Sequence, residues 1–267
     1  KAILAHVGDS RLYLLRSGEL HLMTNDHTLS NELIQTGRIA AGSRVAAQYN
    51  HVLTRCVGQQ ESVDLETLLF DLLPGDRFLL CSDGLSNYFA DETEIVRILS
   101  GDNLARITQQ LADLANDRGG RDNITSMVLR VSADSTETAE QTREKLEALS
   151  QTFVCRGLTL NRRIRVANIG RLQSFNANAW IIRKGDERTG MYIVLDGSCT
   201  ITRPSGKTVE LTAGDCFGET ALARGDQFRI QVRCREATRV LFISRDAFRR
   251  LVRRIPKLGM RLLDNLL

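Results

Sequence analysis

The apolar positions at the front of the chain fall in short runs separated by turn residues. Ala2 to Val7, Arg11 to Arg16 and Leu20 to Met23 are set off by Gly8-Asp9-Ser10 and by Gly18, which predicts an antiparallel meander. Asn31 to Gly37 carries Leu33 and Ile34 with helical character, and a polar loop is expected from there to Asn50. Leu65 to Leu73 is the next strand, and Pro74-Gly75-Asp76 turns it into a short apolar run, Phe78 to Cys81, that reads as buried. Acidic residues at Asp91-Glu92-Thr93-Glu94 favour the amino end of a helix through Leu99. Asn103 to Asn116 places Leu104, Ile107, Leu111 and Leu114 along one side of a second helix, and Met127 to Val131 closes the segment as a strand.

From Ser132 to Gln141 the chain is rich in Ser, Thr, Glu and Ala and loses its apolar periodicity. This change sets the expected organisation: a first domain over 1–134, a linker over 135–142 and a second domain over 143–267. Thr142 to Phe153 has Leu146, Leu149 and Phe153 at helical spacing. Beyond Arg165, short strands alternate with glycine turns: Trp180 to Ile182, Met191 to Leu195, Thr200 to Arg203 and Val209 to Leu211. Such spacing predicts a small barrel or jelly roll. Ser244-Arg245-Asp246 caps a last helix bearing Phe248, Leu251, Val252 and Ile255. Arg249, Arg250, Arg253 and Arg254 stand on its other faces as a solvated surface, and Pro256 interrupts it.

Composition supports two domains, since 267 residues with 42% hydrophobic content can bury two cores. The chain has no run of about 18 apolar residues and no signal-peptide pattern, so a soluble cytoplasmic protein is expected, with neither a membrane nor a nucleic acid as partner. It opens on Lys1 rather than methionine and reads as a piece of a longer product. The six cysteines form no CxxC pair, which argues against a zinc knuckle, and the four histidines lack metal-ligand spacing. Charge is split along the chain. Residues 1 to 134 hold 12 Lys+Arg against 18 Asp+Glu, or −6, and the remainder holds 24 against 14, or +10. An acidic front half agrees with a cation site and a basic rear half with an anionic ligand or partner.

The cation site has candidate ligands. Asp83 ends the buried strand and Gly84 lets the chain turn away; Asp122 sits in Gly119-Gly120-Arg121-Asp122-Asn123 just ahead of the last strand. Each could be an ordinary turn residue. Two strand-edge carboxylates brought together would instead suit Mg²⁺ or Mn²⁺.

Five blocks in order carry a resemblance: Val7-Gly8-Asp9-Ser10-Arg11, Thr24-Asn25-Asp26-His27, Leu53-Thr54-Arg55-Cys56-Val57-Gly58, Gly75 to Leu85 and Gly120 to Thr125. They resemble the carboxyl-terminal half of metal-dependent type 2C serine/threonine phosphatases of the bacterial branch. The resemblance implies a partial β-sandwich with flanking helices and phosphorylated proteins as substrates. It implies that Asp83 and Asp122 ligate one ion of a binuclear Mn²⁺ or Mg²⁺ centre and that Asp9 ligates a third. The family's amino-terminal ligand blocks do not occur in this chain, and its second Ser-Asp-Gly aspartate is Asn87 here, a weaker ligand for a hard cation.

A second resemblance rests on Lys184-Gly185-Asp186, Met191-Tyr192-Ile193-Val194 and Ala213 to Leu222, which resemble a cyclic nucleotide-binding domain. It implies a cassette in which Gly218, Glu219, Thr220 and Ala221 meet the cyclic phosphate and ribose of cyclic AMP or cyclic GMP. An ungapped count puts Phe228 where the family has its phosphate-binding arginine, and a loop longer by one residue restores Arg229. The expected fold is therefore α+β, with a phosphatase-like sandwich followed by a β-barrel. The expected function is a metal-dependent phosphatase regulated by a cyclic nucleotide; the alternative is a non-catalytic regulatory protein whose barrel binds a partner.

Overall fold

The computed structural model describes residues 1–132, 137–187, 189–223 and 227–266, and they fall into two compact units, Lys1–Ala139 and Glu140–Leu267. Of the expected linker over 135–142, residues 135 and 136 lie outside the described residues, and from 137 the chain is helical.

The first unit contains β1 (Ala2–His6), β2 (Arg11–Arg16), β3 (Glu19–Leu22), α1 (Leu29–Gln35), α2 (Arg44–Tyr49), β4 (Glu66–Phe70), β5 (Arg77–Cys81), α3 (Asp83–Ser86), α4 (Glu92–Leu99), α5 (Leu104–Asp117) and β6 (Ser126–Arg130). A four-stranded antiparallel sheet runs in the order β3-β2-β5-β6. Its residues alternate between two faces. Tyr13, Leu15, Leu79, Cys81 and Val128 meet Ile95, Leu99, Ile107 and Leu111 from α4 and α5 in one core. On the other face Phe78 meets Phe70 of β4, with ring centroids 5.8 Å apart, so the β1–β4 pair forms the second layer of a sandwich.

Two expectations are corrected here. The meander reading paired the first two strands, but β1 pairs with β4 and only β2–β3 is a hairpin. Gly8, at φ +100°, takes the chain across from one layer to the other instead of folding it back. The polar loop expected up to Asn50 contains α2, whose start is capped by Ser43 Oγ accepting from the Ala46 N–H at 3.1 Å.

The second unit contains α6 (Glu137–Gln151, entered from the last residues of the first unit), a 3₁₀ turn at Phe153–Cys155, α7 (Leu160–Ile169), β7 (Arg171–Phe175), β8 (Trp180–Ile182), β9 (Gly190–Asp196), β10 (Cys199–Thr202), β11 (Thr208–Leu211), β12 (Cys216–Phe217), α8 (Thr220–Ala223), β13 (Gln231–Cys234), β14 (Thr238–Ser244), α9 (Arg245–Arg254) and α10 (Pro256–Leu266). Two four-stranded antiparallel sheets, β11-β10-β13-β8 and β12-β9-β14-β7, make the barrel. Ile182, Val194, Cys199, Phe217, Phe228 and Val232 fill its interior. Ser244 Oγ caps α9, which buries Ala247, Phe248 and Leu251 and leaves Arg249, Arg250, Arg253 and Arg254 exposed, as the pattern predicts. Pro256 does more than interrupt that helix. It opens α10, where a missing N–H costs nothing. Among the described residues no helix is long and apolar enough to cross a membrane.

Candidate metal centre and cassette

Asp9 follows the crossing residue Gly8, which is held from both sides by His27. The His27 N–H donates to the Gly8 carbonyl at 2.8 Å, and the Gly8 N–H donates to His27 Nδ1 at 3.1 Å. Asp83 opens α3 immediately after β5. The strand end is stitched to the loop that carries Asp122: Ser82 N–H donates to the Thr125 carbonyl, Thr125 N–H donates to Ser82 Oγ, and Ser82 Oγ donates to the Asn123 carbonyl at 3.0 Å. Gly84 is required at this junction because a Cβ there would collide with the Asn123 carbonyl. Asp122 itself is exposed and accepts from the Asn123 N–H at 2.7 Å.

Asp9 and Asp83 share a small cleft of about 70 Å³ with Arg11, Asp26, Thr28, Asn50, His51, Ser86 and Asn87. Burial raises the Asp9 carboxyl above the ordinary range, and the negative charge of Asp83 adds to it. A cation would relieve that repulsion. Arg11 supplies only a minor part of that relief, because its guanidinium is paired with Asp26, with Nη2 to Oδ2 at 2.6 Å. The donor set is mostly oxygen, from carboxylates, amides and hydroxyls, which fits a hard divalent ion. Asp122 does not line this cleft, and among the described residues Asp9, Asp83 and Asp122 form no group with all ligand atoms within 4.8 Å. Asp26, Thr28, Asn50 and His51 were not singled out as site residues in the sequence. Only Asp26 lay in a recognisable block, and the others are brought in by the turn before α1 and the segment after α2.

A group that does close within 4.8 Å is His6, His27 and Glu66. Its polarity suits protons better than a metal. His27 Nδ1 accepts from Gly8, so Nε2 carries the ring proton, and it faces Glu66 Oε2 at 3.5 Å. Asn25 Nδ2 donates to the other Glu66 oxygen at 2.7 Å. Neither ring nitrogen of His6 closes a hydrogen bond, and burial, with His27 alongside, holds its pKa below the ordinary histidine value.

In the barrel, Phe217, Gly218 and Glu219 lead into α8. Gly218 adopts φ +76° and lies close under the Gly190 carbonyl, so only glycine fits. Glu219 is half-buried and Thr220 exposed, and the Ala221 N–H is used on the Gly218 carbonyl at 2.9 Å. Arg245 Nε, at the start of α9, donates to the Ala221 carbonyl at 2.5 Å and ties the cassette to that helix. The residue facing Gly218 is Phe228. Its ring is buried, 3.4 Å from where a Gly218 Cβ would stand. Arg229 is exposed and forms no hydrogen bond or ion pair among the described residues.

Comparison with known proteins agrees with both halves. Residues 1–124 match the family Protein phosphatase 2C, and residues 172–255 match the family Cyclic nucleotide-binding domain. The chain carries a type 2C phosphatase segment followed by a cyclic nucleotide-binding domain. The phosphatase segment is 38% identical over 137 residues to a putative protein phosphatase 2C-type from Streptococcus pyogenes, covering 51% of this chain and 55% of that protein. It is 38% identical over 141 residues to the serine/threonine phosphatase stp of Listeria monocytogenes, covering 51% and 54%. The solved structure of the S. agalactiae serine/threonine phosphatase is 37% identical, covering 48% of this chain and 54% of that one, with a TM-score of 0.45. The chain thus spans about half the length of the curated relatives it matches.

Proposed function

We propose that the phosphatase segment contributes to a metal-dependent serine/threonine protein phosphatase, and that the cyclic nucleotide-binding domain regulates it. One observation carries the first part: Asp9 and Asp83 converge on one oxygen-lined cleft, where burial and the neighbouring Asp83 carboxylate disfavour an ionised Asp9 that a cation would favour. Asp83 and Asp122 would hold one Mn²⁺ or Mg²⁺ and Asp9 another. When bound, such ions lower the pKa of a shared water and neutralise charge on a phosphoryl group. The chain's own part is positioning. Ser82 locks the Asp83 strand end to the Asp122 loop, and His27 locks the turn that presents Asp9.

The regulatory part is supported by the Arg245 link between α8 and α9, through which occupancy of the cassette could bias the last helices. The alternative, a non-catalytic regulatory protein, is favoured by the family's amino-terminal ligand blocks not occurring in these residues and by Asn87 standing where the family has a ligand aspartate. The decisive measurement is Mn²⁺-dependent hydrolysis of a phosphothreonine peptide by the full-length gene product and its Asp83→Asn variant. A loss on the order of a hundredfold or more is expected from removal of one ligand charge, equivalent to about 2.7 kcal/mol. Equal activity in the two proteins sinks the enzyme reading. The 267-residue chain alone should bind Mn²⁺ weakly and turn over at background rate, because Asp83 and Asp122 are the main-centre ligands it offers.

A further inference from the structure

Cys199 of β10 and Cys234 of β13 are directly opposite each other in an antiparallel pair. Their backbone pattern fixes which kind of pair this is. The Cys234 N–H donates to the Ala179 carbonyl at 2.9 Å, and the Cys234 carbonyl accepts from the Asn178 N–H at 3.0 Å, so both groups point away from β10. The bond next along the ladder, from Arg235 N–H to the Ser198 carbonyl at 2.9 Å, brackets the pair. Cys199 and Cys234 are therefore a non-hydrogen-bonded pair, the closer of the two antiparallel types, with Cα atoms about 4.5 Å apart. That lies within the window of about 4.4 to 6.8 Å for a disulfide. Both side chains share one face: Ile201 opposes Val232 two residues along, and Val232 and Cys199 belong to the barrel core. Both thiols are buried, at 0% and 2% exposure, and both are free.

We propose that Cys199 and Cys234 are an oxidisable pair that closes a cross-strand disulfide with hydrogen peroxide as oxidant. One thiolate attacks a peroxide oxygen, the O–O bond breaks, and a sulfenic acid and hydroxide form, the hydroxide taking up the proton that the thiol released to become water. The second thiolate attacks the sulfenic sulfur, the S–S bond forms, the S–O bond breaks and hydroxide leaves, taking up the second thiol's proton as water. Two thiols lose two electrons and two protons, and one peroxide accepts them. The bond staples the carboxyl end of β13 to β10 within the β11-β10-β13-β8 sheet of the barrel. The pair is not a fast sensor. Burial pushes the Cys199 thiol up to about 12, with Cys234 adding to it, and burial also raises Cys234. Few thiolates are present, so the reaction runs through openings of the barrel and should accelerate in urea too dilute to unfold it.

The test uses the full chain, treated with hydrogen peroxide with and without dilute urea, then denatured and alkylated. Expected are two fewer alkylated thiols, a non-reduced digest in which the Cys199 and Cys234 peptides are joined, and a barrel melting temperature that rises on oxidation and falls back with reductant. Cys199→Ala and Cys234→Ala should each abolish the cross-link, and Cys56→Ala should leave it. The peptide map of the unsubstituted chain decides the matter even if a variant fails to fold. The proposal is overturned if all six thiols stay alkylatable. It is equally overturned if the thiols oxidise without joining, or if another pair, such as Cys155 with Cys216, is the one joined.

Discussion

His6 shows how a single buried side chain gives the first unit a pH dependence. Its imidazole is buried with His27, Glu66 and Asp26 as charged or chargeable neighbours and the Ser10 backbone beside it, and the net effect is a folded pKa below 6.5. For a histidine lowered on folding, the unfolded chain binds the proton more readily. Stability is therefore complete above the unfolded value and is lost as pH falls through it toward the folded pKa. The melting temperature of the first unit should drop between about pH 7.5 and about pH 5, and His6→Gln should flatten that slope relative to the parent. Thermal melts across the range check this, and parallel slopes would show that His6 does not titrate on unfolding. The histidine itself is plain in the sequence. Its burial is not, because it depends on β1 leaving β2 to pair with β4.

At the scale of elements, the cassette turns on which residue of the arm before β13 faces Gly218. Phe228 occupies that position and Arg229 is exposed, so the two readings of the loop length make opposite predictions. If Arg229 swings in to meet a cyclic phosphate, cyclic AMP or cyclic GMP should raise the melting temperature of the chain by mass action. Arg229→Ala should then cost about 1.5 to 3 kcal/mol, or roughly tenfold to more than a hundredfold in affinity, and Phe228→Ala should leave or improve binding. Isothermal titration with each nucleotide measures both. Absence of heat at millimolar ligand removes the nucleotide from the regulatory reading. The strands at Trp180 to Ile182, Met191 to Leu195, Thr200 to Arg203 and Val209 to Leu211 were legible from alternation and glycine turns, but β7, β12 and β13 were not read as strands. The loop register was not, since one residue of slip exchanges an inward side chain for an outward one.

At the scale of the whole molecule, the two compact units each have their own core and should unfold separately. Calorimetry of the chain should show two transitions. Asp76 identifies the transition of the first unit. Its carboxylate accepts from Arg16 Nε at 2.8 Å and Nη2 at 2.6 Å and from the Leu73 N–H at 2.7 Å, all buried in the first unit. Asp76→Asn leaves the Arg16 guanidinium buried without a counter-charge, at a cost of about 3 to 5 kcal/mol. The transition of the first unit should fall and that of the second should not move. A single transition that shifts as a whole would show that the units are not thermodynamically separate.

Sequence alone determined what depends on local chemistry: period-2 runs for many of the strands, the amphipathic faces of α5 and α9, and the glycine turns. Tertiary structure decided everything that depends on which segments become neighbours. It moved β1 to the second layer of the sandwich, brought Asp26, Asn50 and His51 to the cleft of Asp9 and Asp83, and kept Asp122 outside it. It also set Cys199 opposite Cys234 across a ladder whose register no local spacing specifies. The physical reason is common to all of these. A strand's alternation fixes which faces its side chains take, but pairing partner and register are chosen by the burial of whole layers, a sum over residues far apart in the chain.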